Sequence, residues 1–148
     1  MTDDDAQAWQ FRAIVEGAPE AIVAANPDGV IQLWNAGAEA MFGYRADEAV
    51  GQKLDLIVPE SFRERHWTGY YGVMQTGTSR YGSQMLSVPA VRKDGTRISI
   101  EFHVVVLHDP AGVLAGMAAI VRDVTERWER DRTLRKRVQE LEAGQAER

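Results

Sequence analysis

The spacing of apolar positions changes repeatedly along the chain, and each change marks an element. From Ala6 to Glu16, Phe11, Ile14, Val15 and Ala18 recur at helical spacing, and Gly17 with Pro19 ends the run. Glu20–Ala25 is a short apolar strand, Asn26-Pro27-Asp28-Gly29 a strong turn signal, and Val30–Trp34 the returning strand. Asn35 is placed to cap a short helix carrying Ala38, Ala40, Met41 and Phe42, which stops at Gly43. Ala46–Val50 reads as a single further turn, and Pro59 opens a longer helix to about Thr76, closed by Gly77.

Beyond Gly77 the period becomes two. Tyr81–Val91 reads as a strand whose Pro89 argues for an edge or a bulge. Lys93-Asp94-Gly95 is a tight hairpin turn. Ile98, Ile100, Phe102, Val104 and Val106 then alternate with Ser99, Glu101, His103 and Val105, the clearest amphipathic strand of the chain. After a loop at His108–Gly112, Val113–Val124 forms the last strand. Two strands, short helices, a longer helix and three strands predict an α+β fold with one five-stranded antiparallel sheet and helices on one face.

The segment from Thr125 to Arg148 is different in kind. Thr125 is a helix N-cap, and the rest is almost wholly polar and charged. Leu134, Val138 and Leu141 keep a heptad-like spacing, with Asp131 in the same seam. A polar helix of about two dozen residues is marginal by itself and needs a partner helix, most simply its own copy in a homodimer. The apolar turn around Trp9 and Phe11 is expected to join it. The chain thus divides into an acidic tail with a flanking helix (1–17), a folded domain (18–124) and a terminal signalling helix (125–148).

Composition narrows the function. In 148 residues, 45% are hydrophobic, enough for one core, and the net charge of −5 offers no attraction to nucleic acid or an anionic membrane. No run of 18 or more apolar residues occurs, and Met1-Thr2-Asp3-Asp4-Asp5 is opposite in charge to an export signal, so a cytoplasmic protein is expected. Cysteine is absent, which removes thiolate metal sites, cysteine nucleophiles and cysteinyl–flavin photochemistry. No phosphate-binding glycine loop and no local Ser–His–Asp motif is present, so no catalytic residue is assigned and an enzyme is not expected.

Several fragments are familiar in this order. Phe11-Arg12-Ala13-Ile14-Val15-Glu16 with Ala18-Pro19, Pro27-Asp28-Gly29, Trp34-Asn35, Phe42-Gly43-Tyr44, Val50-Gly51, Arg92-Lys93-Asp94-Gly95 and Arg122-Asp123-Val124-Thr125 follow the sequence of motifs in the PAS (S-box) sensor family. The resemblance covers roughly residues 11 to 125. It implies a signal-transduction domain of a bacterial-type regulator that holds a small ligand between sheet and helices, or mediates dimerisation, and passes strain to its exit helix. It further implies a downstream signalling protein as partner, with Asp123 and Thr125 at the relay joint.

At 100° per residue, Phe62, His66, Tyr70 and Val73 fall on one side of the longer helix, facing the sheet. The stretch resembles haem-binding PAS domains of the FixL type, in which a histidine of this helix is the proximal iron ligand. That resemblance implies haem as the candidate cofactor, His66 as the metal ligand, and Tyr70, Tyr81, Met85, Leu86, Phe102 and Val104 around it. Leu86 stands where such oxygen sensors carry a distal arginine, and its neighbours Gln84 and Met85 are candidates for a sixth ligand from the strand. His66 reads equally as a packed core histidine of a cofactor-free domain, and both readings stay open on the sequence.

Overall fold

The computed structural model describes residues 2–78 and 84–146. Helix α1 (Asp3–Gly17) starts earlier than its apolar pattern predicts. Thr2 accepts from the Asp5 amide at 3.2 Å while the Asp5 carboxylate accepts from the Thr2 amide, a reciprocal cap that hydrophobic spacing does not reveal. Strands β1 (Ala21–Ala25) and β2 (Ile31–Trp34) flank the predicted turn. There Asn26 Oδ1 accepts from the amides of Asp28 and Val30, both at 3.0 Å.

Asn35 lies at the corner between β2 and helix α2 (Ala36–Phe42) and is the one buried polar residue among those described. Its Oδ1 accepts from Ala38 N at 2.9 Å, as a cap does, and also from Ile22 N at 2.8 Å. Its Nδ2 donates to the carbonyls of Val15 at 2.8 Å and Glu20 at 3.0 Å. One amide therefore joins the end of α1, the start of β1 and the first turn of α2. Helix α3 (Ala46–Ala49) and two 3₁₀ turns, Leu54–Ile57 and Glu60–Phe62, lead into helix α4 (Arg63–Thr76), which ends on Gly77 in the left-handed conformation.

The second half is a meander of β3 (Leu86–Val91), β4 (Arg97–His108) and β5 (Leu114–Asp123), followed by helix α5 (Thr125–Ala146). The strands form one antiparallel sheet in the order β2-β1-β5-β4-β3. The five-stranded α+β architecture with flanking helices is the expected one. Pro89 lies on the edge strand β3, where a missing N–H costs least. The third strand, predicted from Tyr81, begins at Leu86; Tyr81 lies outside the described residues, and Gln84 and Met85 have no regular structure.

The core lies between one sheet face and the helices. Ala21 and Val23 of β1, Ile98 and Ile100 of β4 and Val121 of β5 meet Trp34, Ala38, Phe42 and Ala49. Phe42 is fully buried, with its ring centroid 5.4 Å from that of Trp34. The alternation along β4 appears as predicted: Ile98 and Ile100 point into the core, while Val105 is exposed.

Candidate functional site

Helix α4 does not close onto the sheet as α2 does. Beneath it lies a cavity of about 300 Å³. One wall is the helix stripe Phe62, His66, Tyr70 and Val73, brought to one side by the 3.6-residue repeat. The opposite wall is the inner sheet face, with Val23, Leu86, Ile100, Phe102, Val104, Met117 and Val121. Arg65, His66 and Tyr70 are the only lining residues with polar side chains among those described.

Two residues of α4 are anchored through a network that the sequence pattern did not reveal. Tyr70 Oη donates to the Asn26 carbonyl at 2.5 Å, and burial pushes its phenol up to about 12. Beside it, Trp67 Nε1 donates to Asp55 Oδ1 at 2.6 Å. The Trp67 ring lies under the Lys53 ammonium, 5.4 Å from its centroid, and against Gly29. A Cβ at Gly29 would come within 2.2 Å of two ring atoms, and Gly29 has a φ of 79°, so the turn is closed to larger residues for two reasons. The available signal was Gly29 itself, in a turn four residues after β1. Trp67 and Tyr70 pin α4 to the β1–β2 turn and leave the helix arched over the cavity.

His66 is held between these rings, 4.8 Å from the centroid of Trp67 and 5.9 Å from that of Tyr70. Its Nδ1 is buried and has no hydrogen-bond partner. Desolvation lowers its pKa below the ordinary histidine value, against a smaller opposing pull from the Asp55 carboxylate. The imidazole is therefore neutral near pH 7, the form in which histidine binds a metal or exchanges one hydrogen bond with a ligand. A buried nitrogen without a partner is costly, and native interiors rarely leave one.

The cavity gathers His66, Tyr70, Leu86, Phe102 and Val104 from the predicted set. It does not include Met85, which is 44% exposed and lies just outside β3. Leu86, Phe102 and Val104 offer a bound molecule no side-chain donor. Among the described residues, no group of three His, Cys, Asp or Glu side chains is close enough to hold a metal ion by itself.

The predicted relay joint lies on the strand that forms the cavity wall. Thr125 Oγ1 accepts from Ser99 N at 2.9 Å, and Val124 N donates to Ser99 O at 2.8 Å. Asp123 Oδ1 accepts from Thr125 N at 3.0 Å and from the Thr125 hydroxyl at 2.5 Å, fixing the first turn of α5. Arg127 of α5 pairs with Glu101. Ser99 and Glu101 alternate on β4 with Ile100 and Phe102. Residues that face the cavity thus interleave with residues that hold the exit helix.

A single antiparallel sheet with helices arched over one face, an apolar cavity beneath one of them and a terminal helix tied to the sheet defines a class of α+β signalling modules. The PAS fold family matches residues 10–124, and the chain belongs to that family. The chain is 29% identical over 133 residues to the sensor protein FixL of Bradyrhizobium diazoefficiens, covering 90% of this chain and 25% of that protein. It is 25% identical over 103 residues to the oxygen sensor protein DosP of Escherichia coli K12, covering 69% of this chain and 13% of that one. It therefore spans a quarter or less of these curated relatives. Among solved structures, an RNA-binding light-oxygen-voltage receptor superposes with a TM-score of 0.75 at 25% identity, over 94% of this chain and 39% of that one. The PAS domain of a Colwellia psychrerythraea protein superposes at 0.71 and 23% identity, over 81% of this chain and 98% of that one, a likeness of fold.

Proposed function

We propose that this PAS module is a sensor without chemistry of its own, in which the state of the cavity under α4 is read by β4 and delivered to α5. The observation that carries this reading is the double role of β4, with Ile100, Phe102 and Val104 on the cavity side and Ser99 and Glu101 on the exit helix. Coupling of this kind needs two arrangements of one packed element that both sites bias, and a strand shared by wall and joint is such an element. The output is a change in α5 within a homodimer formed through α1 and α5, whose apolar residues Trp9, Phe11, Ile14, Leu134, Val138 and Leu141 are all exposed. A separate signalling protein or domain would take up that change. No helix among the described residues is long and apolar enough to cross a membrane.

The test fills the cavity from the strand itself. Val104→Phe should alter the rate at which trypsin cuts α5 between Arg127 and Arg137, with the circular-dichroism spectrum preserved. An unchanged cleavage pattern in a folded variant would remove β4 as the route.

A second reading, haem as the cavity's occupant, is favoured by the unpartnered Nδ1 of His66 and by the similarity to FixL and DosP. The residues fit that group: His66 would hold the iron, the apolar wall would receive the macrocycle, and Arg65 is the cation present for its carboxylates. A bound haem would supply an iron centre able to take up a diatomic gas. This chain's contribution would be a neutral imidazole on one side and, at Leu86 and Val104, a surface without donors. Titration with haemin should raise a Soret band that His66→Ala abolishes. A band that survives the substitution would reject His66 as ligand, and no band at all would reject the haem reading.

A further inference from the structure

The charge around the cavity under α4 has one sign. Among the described residues its lining holds no carboxylate and one permanent cation, Arg65. Arg65 is exposed, so its guanidinium stands at the rim, while His66, one step further round the helix, is turned inward. The Arg65 guanidinium lies 5.9 Å from the ring centroid of Phe62, which itself lines the cavity. The Arg97 guanidinium, from the first residue of β4, lies 5.7 Å from the same centroid. One ring thus gathers two cations at one edge of the cavity. Neither has a carboxylate partner among the described residues, although Glu60 and Glu64 lie in the same stretch of chain. Arg97 reaches only the Ser61 hydroxyl, at 3.5 Å.

Charge and depth together specify an occupant. A carboxylate deep in the cavity would lose its hydration with no cation to replace it. At the rim it keeps part of its water and gains a guanidinium that can bond both of its oxygens. Further in, Phe102, Val104, Met117 and Val121 offer no hydrogen bond, so that part of an occupant must be apolar. The 300 Å³ is the room of about ten waters, and so of a molecule with about ten non-hydrogen atoms. An amine would be repelled by Arg65 and Arg97, and a sugar would leave hydroxyls unpaired against the walls.

We infer that the cavity takes a small apolar monocarboxylic acid, its acid group at the Arg65–Arg97 rim and its chain laid along β4 and β5. The inference rests on the reading of this cavity as the sensor's ligand site, and it names the ligand's class and orientation. It is also separable from the haem reading. Haem needs His66 as its anchor, whereas an acid of this kind is held by Arg65, Arg97 and the apolar wall.

Calorimetric titration of the full chain with octanoate, octan-1-ol and octylamine separates charge from chain. Octanoate should bind about tenfold more tightly than octanol, and octylamine more weakly than either. Arg65→Gln should remove about that factor for octanoate and leave octanol unchanged, with Arg97→Gln acting the same way but less strongly. His66→Leu should leave octanoate affinity unchanged. Val104→Phe, which fills the cavity, should abolish binding of octanoate and octanol alike, with the circular-dichroism spectrum preserved. If octanol matches octanoate, or Arg65→Gln keeps full affinity, the acid assignment is overturned and a cavity for some other ligand remains. If Val104→Phe binds octanoate as tightly as the unmodified chain, the acid lies elsewhere and the inference falls. No octanoate binding at millimolar concentration also overturns it, and leaves the sensor reading to be decided by tryptic cleavage of α5. Octanoate that binds as expected but never alters that cleavage upholds the acid site and removes the relay.

Discussion

Helices α2 and α4 cover the same sheet face and are built on opposite plans. Helix α2 has seven residues, three of them buried, and its cap Asn35 makes four hydrogen bonds of 3.0 Å or shorter that join α2 to the end of α1 and the start of β1. Its Gly37 leaves no room for a side chain, since a Cβ there would come within 2.2 Å of the Glu20 carbonyl. Helix α4 is twice as long, buries only Tyr70, spans a cavity and leaves a nitrogen of His66 without a partner. The first is packed against the sheet and tied by its cap to its neighbours; the second has unfilled space and a nitrogen without a partner. Regions that must hold a fold and regions that must respond to an occupant differ in this way, because space and unmet polarity are what a ligand is recognised by.

Four substitutions test the contrast. The largest effect is expected on the α2 side: Phe42→Ala should cost about 3–5 kcal/mol in urea unfolding, since the site is fully enclosed. A loss below about 1 kcal/mol would mean that this end of the core is as loose as the α4 end. Asn35→Ala should cost about 2–3 kcal/mol, because it strands the Ile22 and Ala38 amides and the Val15 carbonyl. It should also raise amide exchange in α1.

On the α4 side the effects are smaller and depend on pH. Tyr70→Phe removes the bond to Asn26 and should cost about 1 kcal/mol at pH 7. The folded phenol titrates near 12 against an ordinary value of 10.0, so this group's contribution is complete below pH 10 and disappears as pH rises toward 12. In the variant that part of the alkaline loss should vanish, and an unchanged alkaline midpoint would exonerate Tyr70. Smallest is His66→Leu, which should change stability at pH 7 by less than about 1 kcal/mol, since it deletes an unsatisfied polar group in an apolar wall. The lowered pKa of His66 makes the folded state resist protonation, so its contribution is present above the ordinary value of 6.5 and falls as pH drops below it. The variant should lack this slope in stability between pH 6.5 and the acid transition.

Much of the architecture was legible because local rules fixed it. The glycine and asparagine turns, the Asn35 cap and the period-two run of β4 each depend on neighbours a few residues away. The stripe Phe62, His66, Tyr70 and Val73 was legible for the same reason, since helical geometry alone puts those four on one wall. What was not legible depends on contacts between distant segments. Asn35 reaching back to Val15, Trp67 reaching Asp55 and packing on Gly29, and Arg65 joining the wall have no signature in spacing. A third strand starting at Tyr81 places Met85 beside His66, whereas the described strand begins at Leu86. With β3 starting at Leu86, Met85 escapes the alternation that would have turned it inward or outward by rule.

The interleaving on β4 carries a pharmacological consequence. Under the proposed reading, a molecule that presses only on Phe62, His66 and Val73 would leave Ser99 where it was, whereas one that wedges against Ile100 or Phe102 would displace the residues next to the exit joint. A ligand shifts an equilibrium only by its differential affinity for the two states, so occupancy and response are separable in this cavity. Under the proposed reading, tight silent binders and weaker activating ones are both accommodated by the same walls, and shape along the strand, more than affinity, sorts agonist from antagonist.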